Sequence, residues 1–398
     1  MQTFWRLGLA VIVALSLAAC GPKEEAPPAK KTGSATEAPG VTVKIAHAGP
    51  LTGSIAHLGK DNENGVRLAL DQANANPIMI GGKLVTFELL SEDDQADPKV
   101  GTTVAQKLVD EKVAAVIGHL NSGVSIPASN IYHKAGIPMI SGSATNPTLT
   151  ERGLTTVFRT VGRDDQQGPA LAMYLAHNVK ATTVALIDDK TAYGEGVANE
   201  VEKALKGTPV TLVGRERTSD RETDFKAILT KLKARRPDVI FHGGMDATAG
   251  PMIRQARELG ITATFALGDG GCTNETARLA GTAAEGLICS QAGLPSEAAG
   301  KAFLDDFTAR YGDVKQYAPY VYDGTLAVIE AMKRADSVDP AIFGPAMASV
   351  RFTGATGTVE FDAKGDRKNA DITIFTMKHG RLVPIALVQN GLVSAFKR

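Results

Sequence analysis

The chain reads as an α/β protein of two doubly wound lobes, and three observations carry that reading. From Val41 onward, short apolar strands alternate with amphipathic helices, the order that builds parallel sheets covered by helices. Ala114–Ile117 is apolar at every position, as expected of a strand buried on both faces. At 398 residues the chain also exceeds what one hydrophobic core comfortably holds.

The N terminus is read apart from this body. Arg6 closes a short positive region, and Leu7 to Ala19 carries no charge. That run is too short to span a ~30 Å hydrocarbon core and has the size of the apolar region of a signal peptide, assigned to residues 1–19. It ends in Leu17-Ala18-Ala19-Cys20, which looks like a bacterial lipobox, where the Cys sulfur is lipidated before cleavage. An ordinary signal peptide cleaved near Ala18 is the alternative. Gly21 to Gly40 has no large apolar side chain, several prolines and balanced charge, so residues 20–40 are expected to be a lipidated Cys and a disordered tether.

In the body, Val41–Ala46 reads as a strand, followed by a helix with Val66, Ala69, Leu70 and Ala73 on one face. Ile80-Gly81-Gly82-Lys83-Leu84 marks a turn before the strand Leu84–Leu90. Pro98 opens a helix presenting Val100, Val104 and Leu108. The strand at 114–117, a helix near 125–135, strand Pro138–Ile140, helix Gly168–Asn178 and strand Thr183–Ile187 continue the alternation. Further strands are expected near Val210–Val213, Val239–Phe241 and Thr264–Ala266.

Composition removes several functions. Lys plus Arg and Asp plus Glu number 43 each, which leaves no basic field to hold nucleic acid. The seven histidines show no metal-ligand spacing, so no metal is expected. No nucleophile elbow, Walker loop or catalytic-Cys pattern is present. Gly194-Glu195-Gly196 mimics a dinucleotide loop but lacks its third glycine, and no cofactor is expected. Cys272 and Cys289 permit one disulfide in an exported chain, two separate buried thiols being the alternative.

In open α/β sheets, ligands bind beyond the carboxyl ends of the strands. Gly118-His119-Leu120-Asn121-Ser122-Gly123 follows one strand and places Ser122 near a helix N-terminus, where amides and dipole favour an anion. Ser122 or Ser125 could equally be a plain helix cap. Ser141-Gly142-Ser143-Ala144-Thr145-Asn146-Pro147 gathers hydroxyls and backbone groups suited to a carboxylate and an ammonium, or forms a simple polar turn. Asp188 to Gly196, with Tyr193, and Gly268-Asp269-Gly270-Gly271 complete the set.

Together these segments resemble the bacterial Leu/Ile/Val-binding proteins, type I periplasmic binding proteins that feed branched-chain amino acid ABC transporters. The resemblance covers about 41–385. It rests on Ser91-Glu92-Asp93-Asp94 with Asp97-Pro98-Lys99, Val116-Ile117-Gly118-His119-Leu120, Pro127-Ala128-Ser129, and Ala144-Thr145-Asn146-Pro147 with Arg152-Gly153. Asp165-Gln166-Gln167-Gly168-Pro169, Asp189-Lys190 with Tyr193-Gly194-Glu195-Gly196, and Ala284-Glu285-Gly286-Leu287 follow in the same order.

The resemblance implies two Rossmann-like lobes joined by a three-strand hinge. Lobe 1 would hold 41–162 plus 291–371, and lobe 2 would hold 163–290 plus 372–398, with crossings near 161–164, 289–293 and 370–373. It puts a carboxylate-binding serine at Ser122, helped by Thr145. The ammonium falls to the carbonyl of Ser143, the Thr145 hydroxyl and Asp269, and Ala144 lies within that loop. Tyr193 reaches across the cleft, and Leu58, Met245 and Tyr320 shape the side-chain pocket. The implied function is a monomeric extracytoplasmic receptor for a hydrophobic amino acid, delivering it to an ABC permease from a lipid anchor in the periplasm or at the cell surface. It implies neither an enzyme nor a cofactor. The chain departs from the pattern at Asp269, where the best-known members have Glu, and at Leu58 and Met245, where they have aromatics. Their first-lobe disulfide pair falls on Ala96 and Asn121. A same-fold receptor for an amide, urea or aromatic acid is the alternative, and an exported α/β enzyme is a more distant one.

Overall fold

The computed structural model describes residues 40–389 and 391–396; the segments read as signal peptide, lipidated Cys20 and tether, up to residue 39, lie outside them. The first sheet has the order β2-β3-β1-β4-β5-β6. Its strands are β1 (Gly40–Gly49), β2 (Ile78–Ile80), β3 (Lys83–Asp93), β4 (Ala115–Gly118), β5 (Met139–Ser141) and β6 (Val157–Arg159). All neighbours run parallel except β2, which turns back onto β3. That turn is the Gly81-Gly82 pair, with φ of +59° and +70°. A two-residue hairpin demands such left-handed backbone, and glycine adopts it without a Cβ penalty.

The second sheet has the order β16-β15-β14-β11-β10-β9-β7-β8. Its parallel part is β7 (Thr183–Asp188), β8 (Thr211–Arg217), β9 (Val239–Gly243), β10 (Thr264–Leu267) and β11 (Ile288–Gln291). A small ribbon, β12 (Arg351–Gly354) with β13 (Gly357–Glu360), stands apart. Then β14 (Ile372–Lys378), β15 (Arg381–Gln389) and β16 (Leu392–Ala395) add an antiparallel edge. The strands expected from sequence are present; β6, the β12–β13 ribbon and the antiparallel edge were not anticipated.

Packing assigns the late helices. Val321, Val328 and Met332 from the helix Ala318–Ala335 share one core with Val43, Ile45, Ile117 and Ile140 of the first sheet. On the second sheet, Leu171, Val197 and Val201 cover Leu186 and Phe241 on one face. Leu229, Met252 and Ile253 cover Ile187, Ile240 and Phe265 on the other. The chain therefore passes from the first layered body to the second after β6, returns after β11 and re-enters the second at β14. At these crossings Gly162 N–H donates to Ala292 O at 2.9 Å, and Thr373 Oγ1 donates to Gly293 O at 2.7 Å. Asp366 accepts from Arg159 at 2.8 Å and Arg163 at 2.6 Å, a buried charge network joining the first crossing to the third.

The helix expected at Gly168–Asn178 begins earlier, at Asp164, because Gln166 Oε1 reaches back to accept Arg163 N–H at 2.9 Å. Cys272 and Cys289, with Cα atoms 5.3 Å apart, are joined in a disulfide. It ties the loop after β10 to β11. No described helix is long and apolar enough to cross a membrane.

Candidate functional site

The carboxyl ends of both parallel sheets face one cleft. There a small pocket, ≈ 210 Å³ with its mouth, is lined by Leu120, Asn121, Ser122 and Ser143 from the first lobe and Tyr193, Met245, Asp269 and Gly270 from the second. Tyr317, from the start of the helix Ala318–Ala335, completes it. The pocket opens past Asn121, Tyr193 and Met245 into an outer chamber of ≈ 1530 Å³, also lined by Thr52, Asp189 and Arg221.

Asp269 is the most heavily bonded group in the pocket. Its Oδ1 accepts from Tyr193 Oη at 2.8 Å and Gln167 Nε2 at 2.9 Å, and its Oδ2 accepts from Tyr317 Oη at 2.7 Å. Gln316 Nε2 donates to its main-chain carbonyl at 3.0 Å. Burial pushes the Asp269 carboxyl up, and the donors from Gln167, Tyr317 and Tyr193 pull it back toward ionisation. Asp164 is fully buried nearby, bridged to Asp269 by Gln167 Nε2 at 3.3 Å and 2.9 Å. Burial and then the Asp269 charge push its carboxyl well above the usual range. The Tyr193 and Tyr317 phenols are held high by burial and by Asp269, which keeps them hydrogen-bond donors.

Glycine makes this arrangement possible. A Cβ at position 270 would lie 2.6 Å from Met245 Sδ and 2.8 Å from Tyr193 Cε1, and one at 268 would lie 2.7 Å from Tyr193 Oη. Tyr193 reaches Asp269 only because the backbone on both sides of it is bare.

The opposite wall is built on the helix Ser122–Lys134 and the loop after β5. Ser122 Oγ accepts Asn146 N–H at 3.2 Å. Ser143 Oγ accepts from Asn62 Nδ2 at 3.3 Å and donates to Leu120 O at 3.2 Å. The helix N-terminus, with its partial positive charge, lies at this wall. The loop is pinned from below: His119 is gripped by Asp94 at 2.7 Å and Tyr132 at 3.0 Å, and its carbonyl accepts from Ser125 and Ser141.

The remaining expected residues stand behind the wall. Ala144 and Thr145 are buried and do not line the pocket. Thr145 O accepts Asp164 N–H at 2.9 Å, and Thr145 Oγ1 has no partner among the described residues. Leu58 is fully buried in the core that also holds Leu120, Tyr193 and Tyr317. Tyr320 is elsewhere: its hydroxyl donates to Leu294 O at 3.2 Å and its ring lies under Arg367 in a separate pocket at the crossings. The aromatic that reaches the cleft is Tyr317, one helical turn earlier. Asp61 explains the placement, since its carboxylate accepts the backbone N–H groups of Lys315, Gln316, Tyr317 and Ala318 and so fixes where that helix begins. Sequence reading also missed Asp164, Gln167 and Asn121 as site residues. Gln167 lay in a quoted motif, but nothing local reveals that it bridges two carboxylates.

The lobes touch across the cleft at further points. Asn146 Nδ2 donates to Ala192 O at 2.6 Å. His57 Nε2 lies 2.9 Å from Asp246 Oδ2, which also accepts from Thr273 Oγ1 at 2.7 Å. No group of three or more His, Cys, Asp or Glu side chains among the described residues is placed to hold a metal ion.

This geometry, two layered lobes with a small polar pocket between strand ends, matches known proteins over most of the chain. Residues 42–381 match the family model described as periplasmic binding protein. The Leu/Ile/Val-binding protein homolog 2 of Brucella abortus is 40% identical over 342 residues, 85% of this chain and 91% of the relative. The leucine-, isoleucine-, valine-, threonine- and alanine-binding protein of Pseudomonas aeruginosa is 34% identical, over 84% of this chain and 89% of its own length. Among solved structures, the branched-chain amino acid transporter substrate-binding protein of Streptococcus pneumoniae in complex with isoleucine superposes with a TM-score of 0.79. It is 29% identical and covers 88% of this chain and 100% of that one. A leucine-binding protein from Thermotoga maritima gives a TM-score of 0.81 at 27% identity, covering 87% of this chain and 99% of that one. The family model and the matches at 34–40% identity over more than four fifths of the chain agree, and the chain belongs to the periplasmic binding protein family, with Leu/Ile/Val-binding proteins among its relatives.

Proposed function

We propose that this protein is the extracytoplasmic substrate-binding component of an ABC importer and takes an α-amino acid with a small, branched, neutral side chain. The observation that carries this reading is Asp269. It is a buried carboxylate held by three hydroxyl and amide donors, with lone-pair capacity left on Oδ2, in a pocket whose other wall is a serine-bearing helix N-terminus. A second buried carboxyl, Asp164, is pushed toward its neutral form by burial and by the Asp269 charge, so the negative charge rests on Asp269. Such a site is short of one positive charge, and a ligand ammonium supplies it while the ligand carboxylate takes the Ser122 hydroxyl proton and the helix N-terminal amides. An aromatic acid without an amine would leave Asp269 without that cation, which argues against the benzoate type of ligand.

In this proposal lobe 1 is 41–162 plus 291–371 and lobe 2 is 163–290 plus 372–398. The ligand touches both, so it favours the closed form, and closure presents the protein to the permease. No bond is made or broken. Cys20 anchors the chain by lipid through the 21–40 tether; Cys20→Ser should move the protein from the membrane fraction to the soluble one, and unchanged fractionation would remove the anchor.

The test is calorimetry on the full chain in mild detergent, unfolded and refolded to strip carried-over ligand. It would be titrated with Leu, Ile, Val, Thr and a deaminated Leu analogue. Binding of an amino acid, lost with the analogue, is the expected result. Silence across the amino acids, or equal binding of the analogue, overturns it.

A further inference from the structure

Asn121 breaks a local rule inside the cleft. It occupies the N-cap of the helix Ser122–Lys134, with φ −81° and ψ 134°. An asparagine there ordinarily folds its side-chain oxygen onto an amide of the first turn. Here it makes no such bond; the N–H groups of Val124 and Ser125 go instead to the Asn121 main-chain carbonyl, at 3.0 Å and 2.9 Å. The side chain lies at the junction of the inner pocket and the outer chamber, lining both together with Tyr193 and Met245. Its Oδ1 is buried and without a partner among the described residues.

The neighbouring polar groups each have a partner already, and the proton Ser122 keeps goes to the ligand carboxylate. Ser122 takes Asn146 N–H, Ser143 is held by Asn62 and Leu120, and the two tyrosines serve Asp269. Among the side chains lining the inner pocket, only that of Asn121 carries a buried polar atom left open. A buried acceptor left unpaired is destabilising, and so is a forgone cap. Local rules broken together at a binding cleft mark a group kept for the ligand.

We propose that Asn121 is a specificity-determining residue whose carboxamide pairs with a hydroxyl on the ligand side chain, so that a threonine-type amino acid is preferred over its apolar isostere valine. This rests on the amino-acid reading above. A hydroxyl suits the site better than a longer carboxamide because the inner pocket is small and is walled by Leu120, Met245 and Tyr317. A hydroxyl both donates and accepts, so it satisfies either orientation of the amide.

Calorimetry with L-threonine and L-valine on the stripped full chain tests this, since the two ligands differ by one hydroxyl for one methyl. The expected result is threonine binding at least about tenfold tighter than valine in the wild type, with the ratio falling to about one in Asn121→Leu. Where the leucine variant fails to give a wild-type thermal melt, Asn121→Ser serves, because serine caps helices as well as asparagine but does not reach the ligand. Valine bound as tightly as threonine by the wild type, or a ratio unchanged in the variant, overturns the proposal while leaving the amino-acid receptor intact. Silence with threonine, valine and leucine alike overturns both.

Discussion

Two of the molecule's pockets are nearly equal in size, ≈ 210 Å³ in the cleft and ≈ 220 Å³ at the crossings, and each takes a tyrosine from the same stretch of chain: Tyr317 for the cleft, Tyr320 for the crossings. Their polar groups differ. At the crossings Arg367 donates to Thr160 O, Thr356 Oγ1, Thr356 O and Thr358 O, and Tyr320 to Leu294 O. Thr160 Oγ1 donates to Tyr320 O at 2.9 Å. No side chain lining that pocket has a buried polar atom left open. In the cleft, Asn121 Oδ1 is open on the lining itself, and Gln316 Oε1 is open on a residue bonded to Asp269. Volume does not separate a binding site from a structural void; unused hydrogen-bonding capacity does.

Removing the charge that distinguishes the cleft should have the largest effect. Asp269→Asn keeps the shape but leaves a ligand ammonium buried without its counter-charge. Truncating one partner of a buried charge pair costs about 2–5 kcal/mol, so amino-acid affinity should fall about thirtyfold to a few thousandfold. Calorimetry checks it, and affinity within a factor of three of wild type would mean that Asp269 does not read the amine.

Next comes space. Gly270→Ala puts a methyl 2.6 Å from Met245 Sδ and 2.8 Å from the Tyr193 ring, so both must move into the pocket or off Asp269. Overpacking of about 1–3 kcal/mol predicts roughly five- to 150-fold weaker binding. Unchanged affinity with a normal melt would show that the pocket lies away from Gly270.

The paired test uses the two tyrosines. Tyr317→Phe deletes one of three donors to Asp269, and a hydrogen bond to a charged group is worth about 1.5–3 kcal/mol. Part of that is felt in the unliganded protein too, so amino-acid affinity should drop on the order of tenfold. Tyr320→Phe deletes only the bond to Leu294 O and should leave affinity unchanged. The reverse pattern would restore Tyr320 to the ligand pocket and dismiss Tyr317.

That pair also shows where sequence reading stops. Strand ends and the loops after them are local: Ser122, Ser143, Tyr193 and Asp269 lie in loops marked by apolar runs and their breakpoints, Met245 came only through the family resemblance, and all five line the pocket. Tyr317 and Tyr320 are three residues apart, a little less than one helical turn and about 4.5 Å of rise. Which of them faces the cleft depends on the first residue of the helix. Asp61, more than two hundred residues earlier in the chain, sets that residue through four backbone amides. The Gln167 bridge between Asp164 and Asp269 is likewise long-range. The antiparallel edge β14–β16 has apolar runs broken by Lys, Arg and Pro384, which obscured its period.

The smallest expected effect concerns the rim, where His57 of lobe 1 meets Asp246 of lobe 2 at 2.9 Å. Burial alone would lower the His57 imidazole; the Asp246 carboxylate, with Glu275 and Asp61 also facing it, more than offsets that and holds it above its usual 6.5. Lys315 stands near Glu275 and tempers that field. If the lobes part, the ring returns toward its ordinary value, so the proton favours the closed form. The attraction is fully present below about pH 6.5 and is lost as pH rises through the raised closed-state value. The His57 side chain is 27% exposed, so the pair belongs with the weak, screened ones, worth up to about 1 kcal/mol. Ligand affinity should therefore fall no more than about fivefold between pH 6 and 8. Asp189, pushed up to about 6 by burial, lines the outer chamber and titrates at the start of that window. The comparison is therefore wild type against His57→Gln, which shares every other group. A flatter profile in the variant, with the difference shrinking in high salt, assigns the slope to the latch. Parallel profiles would assign it to the cleft carboxyls, and the rim contact would then join the fully bonded crossing pocket as structure without a part in binding.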